Sequence, residues 1–245
     1  MCPDTKRQVL VLGVYVLNAK NNAPELAREF ASASTWQVEQ RWAAIGVGSL
    51  PLELERQTFL REPGFSPKFS LLNRLMRPLD LDRYSYVLVS DDDIELPAGF
   101  VDDYLRLVEK HGLSLAQPAR THDSYIDHYF VAALSGVEAR RTRFVEIGPL
   151  FSIARDSYGT LLPFDEAAPM GWGLDFAWPV LLARSGKELG IIDSTPVRHA
   201  LRKPVSLYHH GRTEQAMLEF LNSRPHLSHE EAFVATETYP VAQAV

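Results

Sequence analysis

An almost unbroken apolar run near the N-terminus, residues 9–16, most constrains what this chain can fold into. The run is β-branched or apolar nearly throughout, which predicts a strand buried on both faces of a parallel sheet. The same reasoning predicts further strands at residues 36–42, 86–90, 113–118, 144–153, 189–192 and 196–199.

Helical patterns separate these runs. Apolar residues recur at helical spacing after Asn22, after Ser66 as an N-cap with Pro67 in the first turn, and from Pro97 to a stop at Gly112. Two more helices are predicted at residues 176–184 and 214–221. Strands that alternate with helices indicate an α/β fold with a mostly parallel central sheet covered by helices on both faces. In such sheets, ligands bind at the carboxyl ends of the strands.

The composition narrows the class of protein. A chain of 245 residues with 46% hydrophobic and 23% charged residues predicts one globular domain over residues 1–245, with a helical tail from about residue 213 packed on it. The net charge of -6 argues against nucleic acid as a partner.

The cellular setting follows from two further features. Cys2 is the only cysteine, which excludes an intrachain disulfide and favours a reducing cytoplasm. No segment approaches the ~20 apolar residues of a membrane span, so we expect a soluble protein that has no transmembrane segment. Peripheral association with a membrane stays open.

Three consecutive carboxylates, Asp91, Asp92 and Asp93, end the apolar run at residues 86–90. Their mutual repulsion is costly near a buried strand unless a cation offsets it. In extended geometry Asp91 and Asp93 point the same way, and Asp92 points into the fold or toward a backbone donor. This pattern predicts a Mn²⁺ or Mg²⁺ site that binds a phosphorylated ligand. The alternative is that the aspartates are solvated and cap the helix near Pro97.

The surrounding motifs resemble a known family. The segment 86–94 is similar to the strand and Asp-x-Asp motif of GT-A glycosyltransferases. Together with Lys68 and the segments 117–119, 144–152, 171–176, 190–194 and 196–199, it resembles domain-of-unknown-function family 707, which is placed near those enzymes. The resemblance covers the chain from Lys68 to about His199.

This resemblance implies a role for each matching residue. It places Asp91 at the nucleotide ribose or the metal, and it makes Asp93 and His199 metal ligands; the imidazole favours Mn²⁺ over Mg²⁺. Asp175, in the sequence Gly-Trp-Gly-Leu-Asp-Phe, occupies the place of the general base of inverting enzymes. For His199 the alternative is a polar residue at a strand end, and for Asp175 a helix cap. Asp92 supports the site.

Several other residues are candidates on their chemistry alone. Glu146 lies in an apolar strand, where it either binds acceptor hydroxyls, acts as the base in place of Asp175, or forms a buried salt bridge with Arg140, Arg141 or Arg143. Lys68 and Arg143 are candidate diphosphate contacts. Trp172 offers a flat face to a sugar ring or packs in the core. His209 and His210 are a further candidate contact or an exposed pair, and residues 121–143 form a long functional loop.

The leading hypothesis is a metal-dependent glycosyltransferase, inverting, that moves a sugar from a nucleotide-sugar donor to a hydroxyl on a glycan or other acceptor. One alternative is a phosphatase or phosphotransferase of the haloacid-dehalogenase type, which also places aspartates after an apolar strand and uses one as nucleophile. Ile94 and Glu95 do not match the residues of that motif. The other alternative is a nucleotide-sugar-binding module without turnover.

Overall fold

The computed structural model describes residues 7–203 and 210–242, so Cys2 and His209 lie outside the described residues. One sheet of nine strands has the order β3-β2-β1-β4-β7-β5-β8-β6-β9. The strands are β1 (Gln8–Val16), β2 (Gln37–Ile45), β3 (Thr58–Glu62), β4 (Tyr84–Ser90), β5 (Leu113–Arg120), β6 (Val137–Thr142), β7 (Leu150–Ala154), β8 (Glu188–Val197) and β9 (Ala235–Pro240).

Helices pack on both faces of this sheet. They are α1 (Ala23–Ala31), α2 (Lys68–Met76), α3 (Phe100–Lys110), α4 (Tyr158–Leu161), α5 (Leu174–Arg184), α6 (His210–Asn222) and α7 (His229–Ala232). Strand β1 shows why a layer of helices is needed on each face of the sheet. Val9 and Val11 pack with α1 and α3 on one face, and Leu10 and Leu12 pack with α2 and α5 on the other. Both sets are fully buried, as the apolar run predicts.

The prediction of a mostly parallel sheet is wrong, because the sheet is mixed. Strands β1, β2, β3 and β4 are parallel to one another, and β5 pairs parallel with β8. Strand β7 is antiparallel to both β4 and β5, and β6 is antiparallel to both β8 and β9. Strands β3, β6 and β9 were not predicted, because their charged and polar residues do not form an apolar run.

Several predicted boundaries also differ. Only the second half of residues 144–153 is a strand, which begins directly after Pro149, a residue with no N–H to donate to a ladder. Residues 189–192 and 196–199 belong largely to the single strand β8. Helix α2 has Pro67 and not Ser66 as its N-cap, and α3 starts after Gly99 and not at Pro97.

The C-terminal tail contains the helix that was predicted there. Helix α6 contains the predicted segment 214–221, and its Phe220 is buried among residues of α5 and α2. None of the helices within the described residues has the length and apolar character that a membrane crossing requires. That the whole chain forms one domain stays a prediction.

Candidate functional site

A cavity of about 880 Å³ opens where β1 and β4 end. It is the site of most of the candidate residues, as expected for the carboxyl ends of parallel strands. The sequence-predicted residues that line it are Lys68, Asp91, Asp92, Asp93, Glu146, Trp172, Asp175, His199 and His210. Arg143 is exposed and is not among the lining residues, so the structure does not bring it together with the others.

Asp91 forms an ion pair in the cavity wall. Its Oδ1 lies 2.6 Å from Nζ of Lys68, which is the first residue of α2 and also donates to the carbonyl of Ile147 at 3.2 Å. A Cβ on Gly148 would come within 3.0 Å of Asp91 Oδ2 and 3.1 Å of Lys68 Nζ. Glycine at this position therefore leaves room for the ion pair.

Asp92 points away from Asp91 and into the fold. Its Oδ2 accepts a hydrogen bond of 2.8 Å from the backbone N–H of Val16 at the end of β1, and both of its oxygens contact the guanidinium of Arg202. Burial raises the pKa of Asp92 to about 6, although the hydrogen bond and the charge of Arg202 oppose this rise. Asp92 thus ties the end of β4 to the end of β1 and anchors Arg202.

Asp93 contacts two cationic or potentially cationic groups. Its Oδ1 lies 3.3 Å from Nε2 of His199, and its Oδ2 lies 3.1 Å from Arg202. Burial opposes the charge on Asp93, but the hydrogen bond and charge of His199, together with Arg202 and Lys68, outweigh it and lower the pKa of Asp93. Asp93 is therefore ionised at neutral pH.

The aspartates and His199 determine whether the cavity can bind a divalent cation. Within residues 7–203 and 210–242, no three side chains of His, Cys, Asp or Glu converge as a complete metal site would require. Asp93 and His199 nevertheless stand close enough to share one ion, with Asp91 nearby at the same strand end. Such a pair fits a cation whose remaining ligands are phosphate oxygens and water, which is how Mg²⁺ is commonly bound.

The aspartates do not cap a helix. Helix α3 begins after Gly99 without a side-chain cap, and its first-turn acids are Asp102 and Asp103. The alternative interpretation of Asp91, Asp92 and Asp93 as caps is therefore wrong.

Glu146 forms a buried ion pair, but with a residue that was not predicted. Its Oε2 lies 2.7 Å from the guanidinium of Arg120 at the end of β5. Burial raises the pKa of Glu146 to about 7 despite the positive charge of Arg120. The proposed partners Arg140 and Arg141 instead pair with Asp193 and Glu237.

The carboxyl group of Asp175 is buried with one oxygen atom, Oδ1, that lacks a hydrogen-bond partner among the described residues. Asp175 lies in the first turn of α5. Burial, and then the negative charge of Glu146, raise the pKa of Asp175 to about 7. The N-cap of α5 is Gly173, without a side-chain cap, so Asp175 is not the helix cap.

The glycines beside Asp175 have positive φ angles. Gly171 has φ +87°, and a Cβ there would come within 2.2 Å of the ring of Phe69; Gly173 has φ +93°. Both positions require glycine because an L side chain rarely adopts this conformation. Trp172, between them, is half-buried at the cavity wall, with its ring 5.1 Å from that of His210.

Arg202 and Arg120 are the two site residues that sequence reasoning missed. Arg202 is separated from Asp92 by 110 residues and Arg120 from Glu146 by 26, so no local pattern shows these pairs. The signal available was chemical, since buried carboxylates require a cationic partner.

The fold is similar to that of a solved glycosyltransferase. A crystal structure of GalNAc-T7 with UDP, GalNAc and Mn²⁺ matches 84% of this chain and 47% of that chain, with a TM-score of 0.54 and 12% identity. This chain therefore spans about half the length of that one, and at this identity the match shows the fold alone.

A family model matches part of the chain. Residues 67–146 match the model of a family described as "Protein of unknown function (DUF707)", a segment that contains Lys68, the three aspartates and Glu146. The resemblance predicted from the sequence is thus confirmed: residues 67–146 match DUF707, and the fold resembles that of a GT-A glycosyltransferase. Among curated proteins, no sequence matches.

Proposed function

We propose that the protein is a metal-dependent glycosyltransferase that moves a sugar from a nucleotide-sugar donor to a hydroxyl acceptor with inversion. One observation carries this proposal. The Asp93–His199 pair and the carboxyl group of Asp175, whose Oδ1 has no hydrogen-bond partner among the described residues, line the same cavity, so a cation-binding pair and a candidate base have access to one ligand.

The donor end of the cavity is the end that holds the aspartates. Asp93 and His199 would hold Mn²⁺, or Mg²⁺, and Asp91 would bind the same ion or the ribose. When bound, the cation supplies Lewis-acid stabilisation of the charge that develops on the departing diphosphate. Lys68 and Arg202 line the same region and offer N–H donors to phosphate oxygens. Arg143, which lies away from the cavity, has no role in this proposal.

Asp175 would act as the general base. The acceptor hydroxyl oxygen forms a bond to the anomeric carbon, the bond from that carbon to the diphosphate oxygen breaks, and the hydroxyl proton passes to the carboxylate of Asp175. A positioned carboxylate contributes roughly 10²–10⁴-fold to such a step. Because its pKa is raised to about 7, Asp175 is a stronger base than an exposed aspartate and is still partly ionised at neutral pH.

Glu146 is assigned a positioning role rather than that of base. Arg120 already occupies its Oε2, whereas Asp175 has a free oxygen. The negative charge of Glu146 also raises the pKa of Asp175, which increases the basicity of that carboxylate. The cytoplasmic location and the peripheral membrane association predicted from the sequence stay predictions.

Donor binding is the direct test of this proposal. Calorimetric titration of a panel of nucleotide sugars, with and without Mn²⁺, should detect binding that requires the metal and is lost in Asp93→Asn. Asp103→Asn, on the exposed face of α3, is the matched control and should bind as the unmodified protein does. No binding of any donor, or binding that Mn²⁺ does not affect, would refute the metal-dependent site. Binding without transfer to any acceptor would favour a binding module.

A further inference from the structure

One wall of the cavity takes no part in the proposed donor site. It is formed by Tyr125, Asp127 and His128 of the segment between β5 and β6, and by His226 and His229 near α7. We call these five residues the imidazole wall. Its two halves come from the predicted functional loop at residues 121–143 and from the C-terminal tail, and neither half contributes to metal or diphosphate binding.

The loop half of the imidazole wall is fixed by buried polar contacts. The guanidinium of Arg140 pairs with the buried Asp193 at 2.9 Å and donates to the carbonyls of Phe130 and Ala132. On the other side of the loop, the N–H of Tyr125 donates to the carbonyl of His199 at 2.7 Å. The wall is therefore held in place directly beside the candidate metal ligand His199.

The tail half is fixed beside the candidate base. The N–H of Leu227 donates to the carbonyl of Phe176 at 3.0 Å, and Phe176 follows Asp175 in α5. The ring of His229 lies 4.8 Å from that of Phe176 and 6.2 Å from that of His128. The two imidazoles thus stand next to each other, and that of His229 lies against Phe176, the neighbour in sequence of the carboxyl group that would accept the proton.

The polar groups of the wall are available for a ligand. Within the described ranges 7–203 and 210–242, neither His128 nor His229 makes a hydrogen bond through its ring, and Asp127 has neither a hydrogen bond nor an ion pair. A neutral imidazole offers one donor and one acceptor, and a carboxylate offers acceptors. Burial lowers the pKa of His128, so this ring is neutral at pH 7.

The chemistry of the wall indicates the class of ligand. Rings that offer a flat apolar surface beside donors and acceptors suit a sugar, whose C–H faces pack on rings while its hydroxyls form hydrogen bonds. Asp127, Glu146 and Asp175 all line the cavity. Arg120 pairs with Glu146, so the other two carboxyl groups disfavour an anionic acceptor. The wall therefore fits an uncharged sugar.

We propose that the imidazole wall is the acceptor subsite, and that it binds an uncharged sugar through hydrogen bonds from its hydroxyls to His128, His229 and Asp127. One of those hydroxyls then faces Asp175. The assignment rests on the proposed glycosyltransferase function and adds the substrate class of its second substrate.

The test compares transfer with donor hydrolysis, because many glycosyltransferases slowly pass their donor sugar to water when no acceptor is bound. The acceptor probes are methyl glycosides of neutral hexoses and a Ser/Thr-containing peptide, used with whichever nucleotide sugar the protein hydrolyses. His128→Phe and His229→Phe keep a ring but lose its nitrogens. Each should raise the acceptor KM and lower the ratio of transfer to hydrolysis by about tenfold, as expected for one lost hydrogen bond.

Matched variants distinguish a loss of acceptor binding from a loss of folding. His122→Phe changes an exposed histidine of the same loop that is not in the cavity wall, and it should leave the ratio unchanged. His128→Gln and His229→Gln, which restore a donor and an acceptor, should recover part of the transfer even if the Phe variants are unstable.

The outcomes distinguish the two proposals. Donor hydrolysis with an unchanged acceptor KM in the Phe variants would overturn the acceptor subsite alone. Transfer to the peptide but to no glycoside would also overturn it. Absence of hydrolysis and of transfer in the unmodified protein would overturn the proposed function, and the subsite with it.

Discussion

Replacement of Asp175 by asparagine should make the protein more stable and slow transfer strongly. Asp175 is 8% exposed, and its Oδ1 has no partner among the described residues. Burial and the charge of Glu146 raise its pKa from 3.8 to about 7. Each pKa unit corresponds to about 1.4 kcal/mol, so the ionised carboxylate costs the folded state about 4 kcal/mol.

The sign of the pH dependence follows from the raised pKa. The folded state binds the proton of Asp175 more tightly than the unfolded state does, so the carboxyl group is most favourable below about pH 4 and loses this advantage as the pH rises to about 7. Asparagine resembles the protonated form at every pH. The stability gained in Asp175→Asn should therefore grow between about pH 4 and pH 7 and be constant above that.

Urea unfolding followed by circular dichroism at several pH values measures this gain directly. Asp103→Asn, an exposed aspartate whose side chain retains 60% of its surface, should show no comparable change. The same Asp175→Asn protein should bind donor and lose transfer by roughly 10²–10⁴-fold. A gain that is independent of pH, or a loss of stability near pH 8, would refute the picture of a buried, unpaired base.

Three further predictions concern the same site. Gly171→Ala, with φ +87° and a ring carbon 2.2 Å from the new Cβ, should lower the free energy of unfolding by about 3 kcal/mol. The control Gly186→Ala, with φ +64° and open space around it, should lower it by only about 1 kcal/mol. Equal losses of unfolding free energy in the two variants would contradict the steric argument. Arg202→Gln leaves the buried Asp92 without its cation and should cost about 3 kcal/mol in neutral urea unfolding; an unchanged midpoint would contradict this. The value of kcat/KM for transfer should fall as the pH is lowered through about 7, because the base Asp175 becomes protonated, and a flat profile would exclude it.

The sequence predicted the segments whose apolar pattern is strong. Strand β1 and the buried part of β4 have apolar runs that only a doubly covered sheet explains, and the structure contains both strands. Gly112, predicted to end α3, has φ +62° directly after the helix. The outward turn of Asp91 and the inward turn of Asp92 followed from the two-residue period of an extended chain.

The features that the sequence did not predict depend on contacts between residues that lie far apart in the chain. Strand β6 reads as a polar segment because of its arginines, yet Arg140 is buried by its pair with Asp193, 53 residues away. The apolar pattern also does not show strand direction, so it could not reveal that β7 runs antiparallel between β4 and β5. The partners of the site carboxylates, Arg202 and Arg120, were missed for the same reason.

The most direct measurement of the central claim is the release of nucleoside diphosphate from a panel of nucleotide sugars, followed with and without Mn²⁺ and a neutral sugar acceptor. The account predicts Mn²⁺-dependent release that the acceptor accelerates, formation of a glycoside with inverted anomeric configuration, and loss of both in Asp93→Asn. No release from any donor, or release that is equal in Asp93→Asn and the unmodified protein, would contradict it.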